Sequence, residues 1–311
     1  MIVRKRYIAA LLALITMFCA VPCSAASKVI AAIMSSDQPR YREAHQAFVK
    51  SLAARGYSQS NTEIILQAPN PDQLSWSNTI RKFNAYRPDL IVAYGAPASQ
   101  TAMKEADRIP VISVDLYAPE HPARGTLGVS SRVPMITLIK TLQDIRPYRK
   151  IGVIYNSRES GSKRQLEDVK KYAAKQGLSI VEANVASAAA VETVLATLLD
   201  KVDAIVVTES GIVCRQFERI ISRARARKIP VVSTMPDAAE KGALVSLEID
   251  PQEQGQLGAD VAVRLLEGAR AENLSLINPR RVNLIVNIRF AREMGLAIPF
   301  PVLDRATRIL K

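Results

Sequence analysis

Two halves of this chain repeat one plan. "KVIAAIMSSD" matches "KIGVIYNSRE", "FVKSLAARGY" matches "VKKYAAKQGL", "RPDLIVAYGA" matches "KVDAIVVTES", and "DRIPVISVD" matches "RKIPVVSTM". The four matches keep their order and a nearly constant offset: Gly56 and Gly177 lie 121 residues apart, Pro110 and Pro230 lie 120 apart. A duplication of this kind restricts the fold to two similar lobes, each laid down by the same succession of elements.

Within each copy, apolar runs alternate with helical patterns. Strands are predicted at 29–34, 62–66, 89–94 and 110–114, then at 150–155, 178–183, 203–208 and 230–234. Tyr41, Ala44, Phe48 and Leu52 share one helical face between the first two strands, and Leu166, Val169 and Ala173 share another. Continuous apolar strands separated by helices indicate parallel sheets covered on both faces. The tail departs from the plan. Residues 242–250 read as a strand and a crossing, 252–268 as a helix, 281–288 as another strand, and a short helix follows from about Phe290. Such a chain passes between its lobes more than once, and several crossings make a hinge with a cleft beside it. The expected fold class is therefore α/β: two similar doubly wound parallel-sheet lobes joined by a multi-strand hinge. Residues 27–130 plus 252–270 are assigned to the first lobe, and 131–251 plus 271–311 to the second.

Residues 1–26 are set apart from this fold. Arg4, Lys5 and Arg6 precede an apolar run from Tyr7 to Val21, and Pro22, Ser24, Ala25 and Ala26 offer a small-residue cleavage site. The run is shorter than the roughly 20 residues a membrane span needs. A cleaved signal peptide and export to a periplasmic or extracellular space are expected. Lipid anchoring at Cys23 or Cys19 is less favoured, because Pro22 and Phe18 precede them. Cleavage removes two of the three cysteines and leaves Cys214 with no internal disulfide partner. It also takes the formal charge from +13 to +10. The remaining cations, as in "RARARK" (223–228), alternate with acids and lack interleaved aromatics, which speaks against nucleic acid as a partner.

Catalytic motifs are missing where the strands would present them. His45 falls in a helical stretch and His121 in a loop, and both read as surface residues. "SRESGSK" (157–163) lacks the first glycine of a phosphate loop, "TESG" (208–211) has Glu209 where a nucleophile elbow needs glycine, and no G-x-G-x-x-G follows either first strand. No enzymatic activity, no metal and no cofactor are expected.

Binding features are better represented. In open parallel sheets ligands lie beyond the carboxyl ends of the strands. Those ends carry "SSDQPRY" (35–41), "GAPASQ" (95–100), "DLY" (115–117), "NSRESGS" (156–162), "ESG" (209–211) and "MPD" (235–237). Ser35, Ser36, Asp37, Asn156, Ser162 and Ser210 offer hydrogen bonds, Tyr41, Tyr117 and Tyr155 offer cover for an apolar part, and Asp115 and Asp237 suit an ammonium or hydroxyl. In "IVAYGAPASQTA" an apolar strand runs through small residues into a helix whose free N–H groups suit a carboxylate.

The stretches "RPDLIVAYGAPASQTA" (87–102), "RKIGVIYNSRESGSKRQLEDVKKYAAKQGL" (149–178), "KVDAIVVTES" (201–210), "KIPVVSTMPDAAEKGALVSLEID" (228–250) and "VNLIVNIRFAREMGLAIP" (282–299), in this order over some 270 residues, carry a further inference. The chain resembles the exported ABC-transporter substrate-binding proteins related to tryptophan-binding lipoproteins, which have the periplasmic-binding-protein type I fold. The resemblance implies a monomer that traps a small solute, often an amino acid or a related aromatic or carboxylated molecule, between its lobes and delivers it to a membrane permease. A sensory subunit signalling to a membrane receptor or kinase is the alternative. By position, Ala96, Pro97, Ala98 and Ser99 would meet the ligand through backbone amides and the Ser99 hydroxyl. Asn156 and Ser162 would answer from the other lobe, with Glu209, Ser210 and Asp237 behind them. Two features depart from the family: Pro251 and Gln252 follow Asp250 where aromatic residues are common, and "DQPRY" stands where many relatives carry a histidine before the proline. Both weigh against an aromatic amino-acid ligand.

Overall fold

The structure is a computed structural model that describes residues 27–117 and 126–311; the expected signal segment and His121 lie outside the described residues. The first lobe runs β1 (Lys28–Met34), α1 (Pro39–Ala54), β2 (Thr62–Gln67), α2 (Gln73–Tyr86), β3 (Leu90–Tyr94), α3 (Ala96–Glu105), β4 (Val111–Leu116) and β5 (Leu127–Ser130). The second runs α4 (Met135–Ile145), β6 (Lys150–Tyr155), α5 (Ser160–Lys175), β7 (Ser179–Asn184), α6 (Ala190–Leu198), β8 (Ala204–Val207), α7 (Gly211–Arg215), α8 (Phe217–Ala226), β9 (Val231–Ser233) and β10 (Val245–Ile249). Helix α9 (Pro251–Leu266) and β11 (Leu276–Ile277) then return to the first lobe. Strand β12 (Val282–Asn287), α10 (Ile288–Glu293), α11 (Phe300–Asp304) and β13 (Arg308–Leu310) complete the second.

The sheet orders make the duplication explicit. The first sheet is β2-β1-β3-β4-β5-β11, parallel throughout; the second is β7-β6-β8-β9-β10-β12-β13, parallel except where β10 meets β12. Both begin with the same reversal of strand order, so each lobe has its switch point between its first and third strands. Alternation along β1 shows why its apolar run is unbroken. Ile30, Ala32 and Met34 pack with Phe48 and Leu52 of α1 on one face, whereas Ala31 and Ile33 pack with Ile80 and Phe83 of α2 on the other.

Three short segments connect the lobes: 131–134, Asp250, and 278–281. The boundary expected at residue 270 is too early, because Leu276 and Ile277 pair with Gly128 and Val129 of β5 in the first sheet. A two-residue edge strand has too little alternation to be read from sequence. Asp250 caps α9 by accepting from Gln252 N at 2.8 Å, with Pro251 at the first helical position, so the second crossing ends in a fixed helix start. Helix α9 lies against α1 at very close range. A Cβ added to Gly255 would fall 2.1 Å from the Ala44 carbonyl oxygen. His45, expected at the surface, is half-buried on α1 with Nδ1 3.1 Å from the hydroxyl of fully buried Tyr94. Burial pulls its pKa down to about 4, so the ring is neutral at physiological pH.

Candidate interlobe binding site

The carboxyl ends of both sheets face each other across the cleft, and the turn after β3 shows how tightly they are built. Gly95 has φ of +88°, and a Cβ there would lie 2.5 Å from the Tyr41 hydroxyl and 2.7 Å from Ser35 Oγ. Only glycine lets α3 start this close to the loop after β1. Ser35 Oγ accepts from Ala98 N at 3.0 Å, and the fully buried Ser99 hydroxyl donates to Ala93 O at 3.1 Å. The expected ligand contact through the Ser99 hydroxyl is therefore corrected: that hydroxyl ties α3 back to its own strand. The Ala98 amide is likewise engaged, which leaves Ala96 and Pro97 as the half-buried lip of the turn.

At the end of β4, Asp115 is buried with φ of +70°. Its Oδ1 accepts from Arg40 Nη2 at 2.6 Å and from Gln254 Nε2 at 3.0 Å. Its buried Oδ2 has no partner among the described residues. Arg40 also reaches the other lobe, with Nη1 3.6 Å from Glu209 Oε1. One guanidinium, its side chain only 10% exposed, thus stands between a carboxylate of each lobe. Burial pulls the Arg40 pKa down, but Asp115 and Glu209 outweigh it and hold the group above its ordinary range. Arg40, Gln254, Glu159 and Gln165 are candidate-site residues that sequence reasoning passed over. For Arg40 a signal existed: it is the one cation in the stretch "SSDQPRY", while the acids Asp115 and Glu209 stand at other strand ends.

In the second lobe the expected residues form one hydrogen-bonded unit. Asn156 N donates to Ser162 Oγ at 2.9 Å, and Ser162 Oγ lies 2.6 Å from Thr208 Oγ1. Glu159 accepts from Asn156 Nδ2 at 2.7 Å, Ser210 Oγ at 2.8 Å and Gly211 N at 2.9 Å. Gln165 Oε1 accepts from Glu209 N at 2.8 Å and from Thr234 Oγ1 at 3.1 Å. Asn156, Ser162 and Ser210 are buried and hold the cleft wall in shape. Two other expectations are corrected. The Tyr155 side chain packs on the α5 side of β6, where burial first and Glu182 next raise its pKa, because β-strand alternation turns the residue after Ile154 to the opposite face. Asp37 is exposed and pairs with Arg42 in the first turn of α1. Ser36 is half-buried beside it.

Further bonds close the lobes on each other. Gln100 Nε2 of α3 donates to Ser160 Oγ of α5 at 2.7 Å, and the Tyr117 hydroxyl donates to Asp168 Oδ2 at 2.7 Å. Arg132, in the first crossing, donates to both Asp168 oxygens at 3.2 Å. Beside Arg40, toward the hinge, a cavity of about 420 Å³ remains between the lobes, its walls including Asp237, Glu248, Pro251 and Ile285. That volume lies within the usual range for a small-molecule site.

The family model for ABC transporter substrate-binding proteins matches residues 29–310. The chain belongs to that family. Among characterised relatives, a tyrosine-binding protein of Clostridioides difficile is 25% identical over 262 residues, 81% of this chain and 76% of that protein. A Streptococcus pneumoniae domain in complex with L-Trp superposes with a TM-score of 0.84 at 24% identity, covering 92% of this chain and all of that one. The ligand-free, open structure of a substrate-binding protein with adhesive properties from Clostridium difficile scores 0.72 at 25% identity, covering 91% and 99%. The fold is that of the type I periplasmic binding proteins, and the family consists of substrate-binding proteins.

The charge balance of the cleft has a consequence for stability. Burial first, and Asp115 next, push the Glu209 carboxyl up to about 8 against the opposing pull of Arg40. Folded Glu209 therefore holds a proton between about pH 4.5 and 8 that the unfolded chain has released, so its contribution to stability declines as pH rises through that window. His45 acts the other way and only below its ordinary value of 6.5, where the folded state resists protonation. Between pH 6.5 and 8 the melting temperature is expected to fall less steeply in Glu209→Gln than in the unsubstituted protein, measured by calorimetry. Parallel curves would remove Glu209 as the buried acid.

Proposed function

We propose that this substrate-binding protein captures an amino-acid-like zwitterion in its interlobe cleft and delivers it to an ABC permease, without chemically changing it. The observation that carries this reading is the pairing of Arg40 with a carboxyl of each lobe at the carboxyl ends of the two sheets. Arg40 balances Asp115 while Glu209 holds a proton; a ligand ammonium beside Glu209 favours release of that proton and pairs with the carboxylate. The small-residue lip at Ala96 and Pro97 opens α3, whose positive dipole end favours the carboxylate. A solute touching both lobes favours the closed arrangement by its differential affinity for it. The characterised relative that binds tyrosine supports an amino-acid class of ligand. Export with removal of residues 1–26, action as a monomer and absence of catalysis complete the proposal.

A thermal-shift screen of the mature protein against amino acids tests it. Ligand present at about 100 times its Kd is expected to stabilise the folded state by roughly 2.7 kcal/mol. Failure of every amino acid to raise the melting temperature would reject the reading.

A further inference from the structure

The cavity beside Arg40 carries a charge pattern that narrows the ligand class. Its acidic lining comes from three elements: Glu43 on α1, Asp237 in the loop after β9, and Glu248 on β10. Glu43 and Asp237 are exposed at the rim, and Glu248 is half-buried deeper in the wall, where Ser246 donates to it at 2.7 Å. The cations in the same wall are both engaged, Arg40 by Asp115 and Glu209, and Arg308 by Glu240. None of the three lining carboxylates is thereby neutralised. Asp115, which pairs with Arg40 but does not itself line the cavity, adds a buried Oδ2 that lacks a donor among the described residues. The apolar part of the lining is proline and isoleucine, at Pro39, Pro236, Pro251, Ile249 and Ile285, with no aromatic ring to stack on a flat side chain.

We infer that the solute is a basic α-amino acid, whose cationic side chain enters the cavity lined by Glu43, Asp237 and Glu248. This rests on the amino-acid reading above and adds the side-chain class. The α-ammonium pairs with Glu209 as that acid gives up its proton, and a second ammonium or guanidinium answers the carboxylates of the cavity. Charge-assisted hydrogen bonds to a half-buried carboxylate such as Glu248 are the stronger kind. An aromatic side chain placed there would further desolvate Glu248 with no cation opposite it, a cost that makes the site select against it.

Isothermal titration with arginine, lysine, tyrosine and tryptophan at pH 7 tests the inference. Arginine or lysine is expected to bind at least about tenfold more tightly than either aromatic amino acid, and Glu248→Gln to weaken that binding about tenfold. Asp237→Asn, at an exposed position that leaves folding intact, is expected to weaken it by a smaller factor and to steepen less with salt. Tighter binding of tyrosine or tryptophan, or of any neutral amino acid, would overturn the basic side-chain class while leaving the amino-acid reading in place. Unchanged arginine affinity in both variants would overturn the assignment of the cavity. Binding of no amino acid at all would remove both readings together.

Discussion

Arg40→Ala is expected to cost about 3–5 kcal/mol of stability, the range for removing one partner of a buried ion pair. The substitution leaves Asp115, at 2% exposure, facing Glu209 with no cation between them. Gln254 Nε2 still reaches Asp115 Oδ1 at 3.0 Å, so one hydrogen bond of the cluster survives. Chemical denaturation measures the loss. Lysine is expected to recover little of it, because a single ammonium cannot reproduce the fork that meets Asp115 at 2.6 Å and Glu209 at 3.6 Å. The double substitution Arg40→Met with Asp115→Asn is expected to recover part of the loss, since it removes the stranded charge as well as its partner. A separate readout follows from position. Arg40 is an interlobe bridge, so the radius of gyration in solution is expected to rise in Arg40→Ala. Stability within 1 kcal/mol of the parent would show that the pair contributes nothing net.

Gly255→Ala is expected to destabilise, although the same change in a helix interior ordinarily stabilises by up to about 1 kcal/mol. The reversal comes from tertiary contact. The added methyl would lie 2.1 Å from the Ala44 carbonyl oxygen and 2.8 Å from Ala47 Cβ, and the nearer of these is backbone that cannot swing aside. Helices α9 and α1 must then separate, which exposes Phe48 and Ala259 where they now pack together. Overpacking of this kind costs about 1–3 kcal/mol. Gly258→Ala supplies the control on the same helix. Its nearest neighbour is a Val114 methyl at 3.2 Å, which can give way, so the change is expected to be close to neutral. A stabilised Gly255→Ala would mean that the two helices are not held at this distance.

The difference between these two glycines shows what local pattern leaves out. Nothing in "QEQGQLGADVAV" distinguishes Gly255 from Gly258, since both fit one helical face; the separation depends on what α1 presents across the gap. The candidate site divides in the same way. Asp115, Glu209 and Asp237 were legible because a parallel α/β lobe places strand ends at its cleft, and an acid at such an end is visible in sequence. Tyr155 and Asp37 shared that address but point elsewhere, one by strand alternation and the other by pairing with Arg42. Arg40 lay inside a quoted loop, yet its partners are 75 and 169 residues away, and no local period encodes such a pairing.

The sequence alone determined the two-lobed α/β plan, because repeated apolar runs of fixed spacing are the local signature of buried parallel strands and are independent of partners. The boundary at Ile277, the spent hydroxyl of Ser99, and the meeting of Arg40 with Asp115 and Glu209 were decided by tertiary structure. Each depends on which polar atoms become neighbours once water is excluded, and that is a property of the packed lobes rather than of any segment within them.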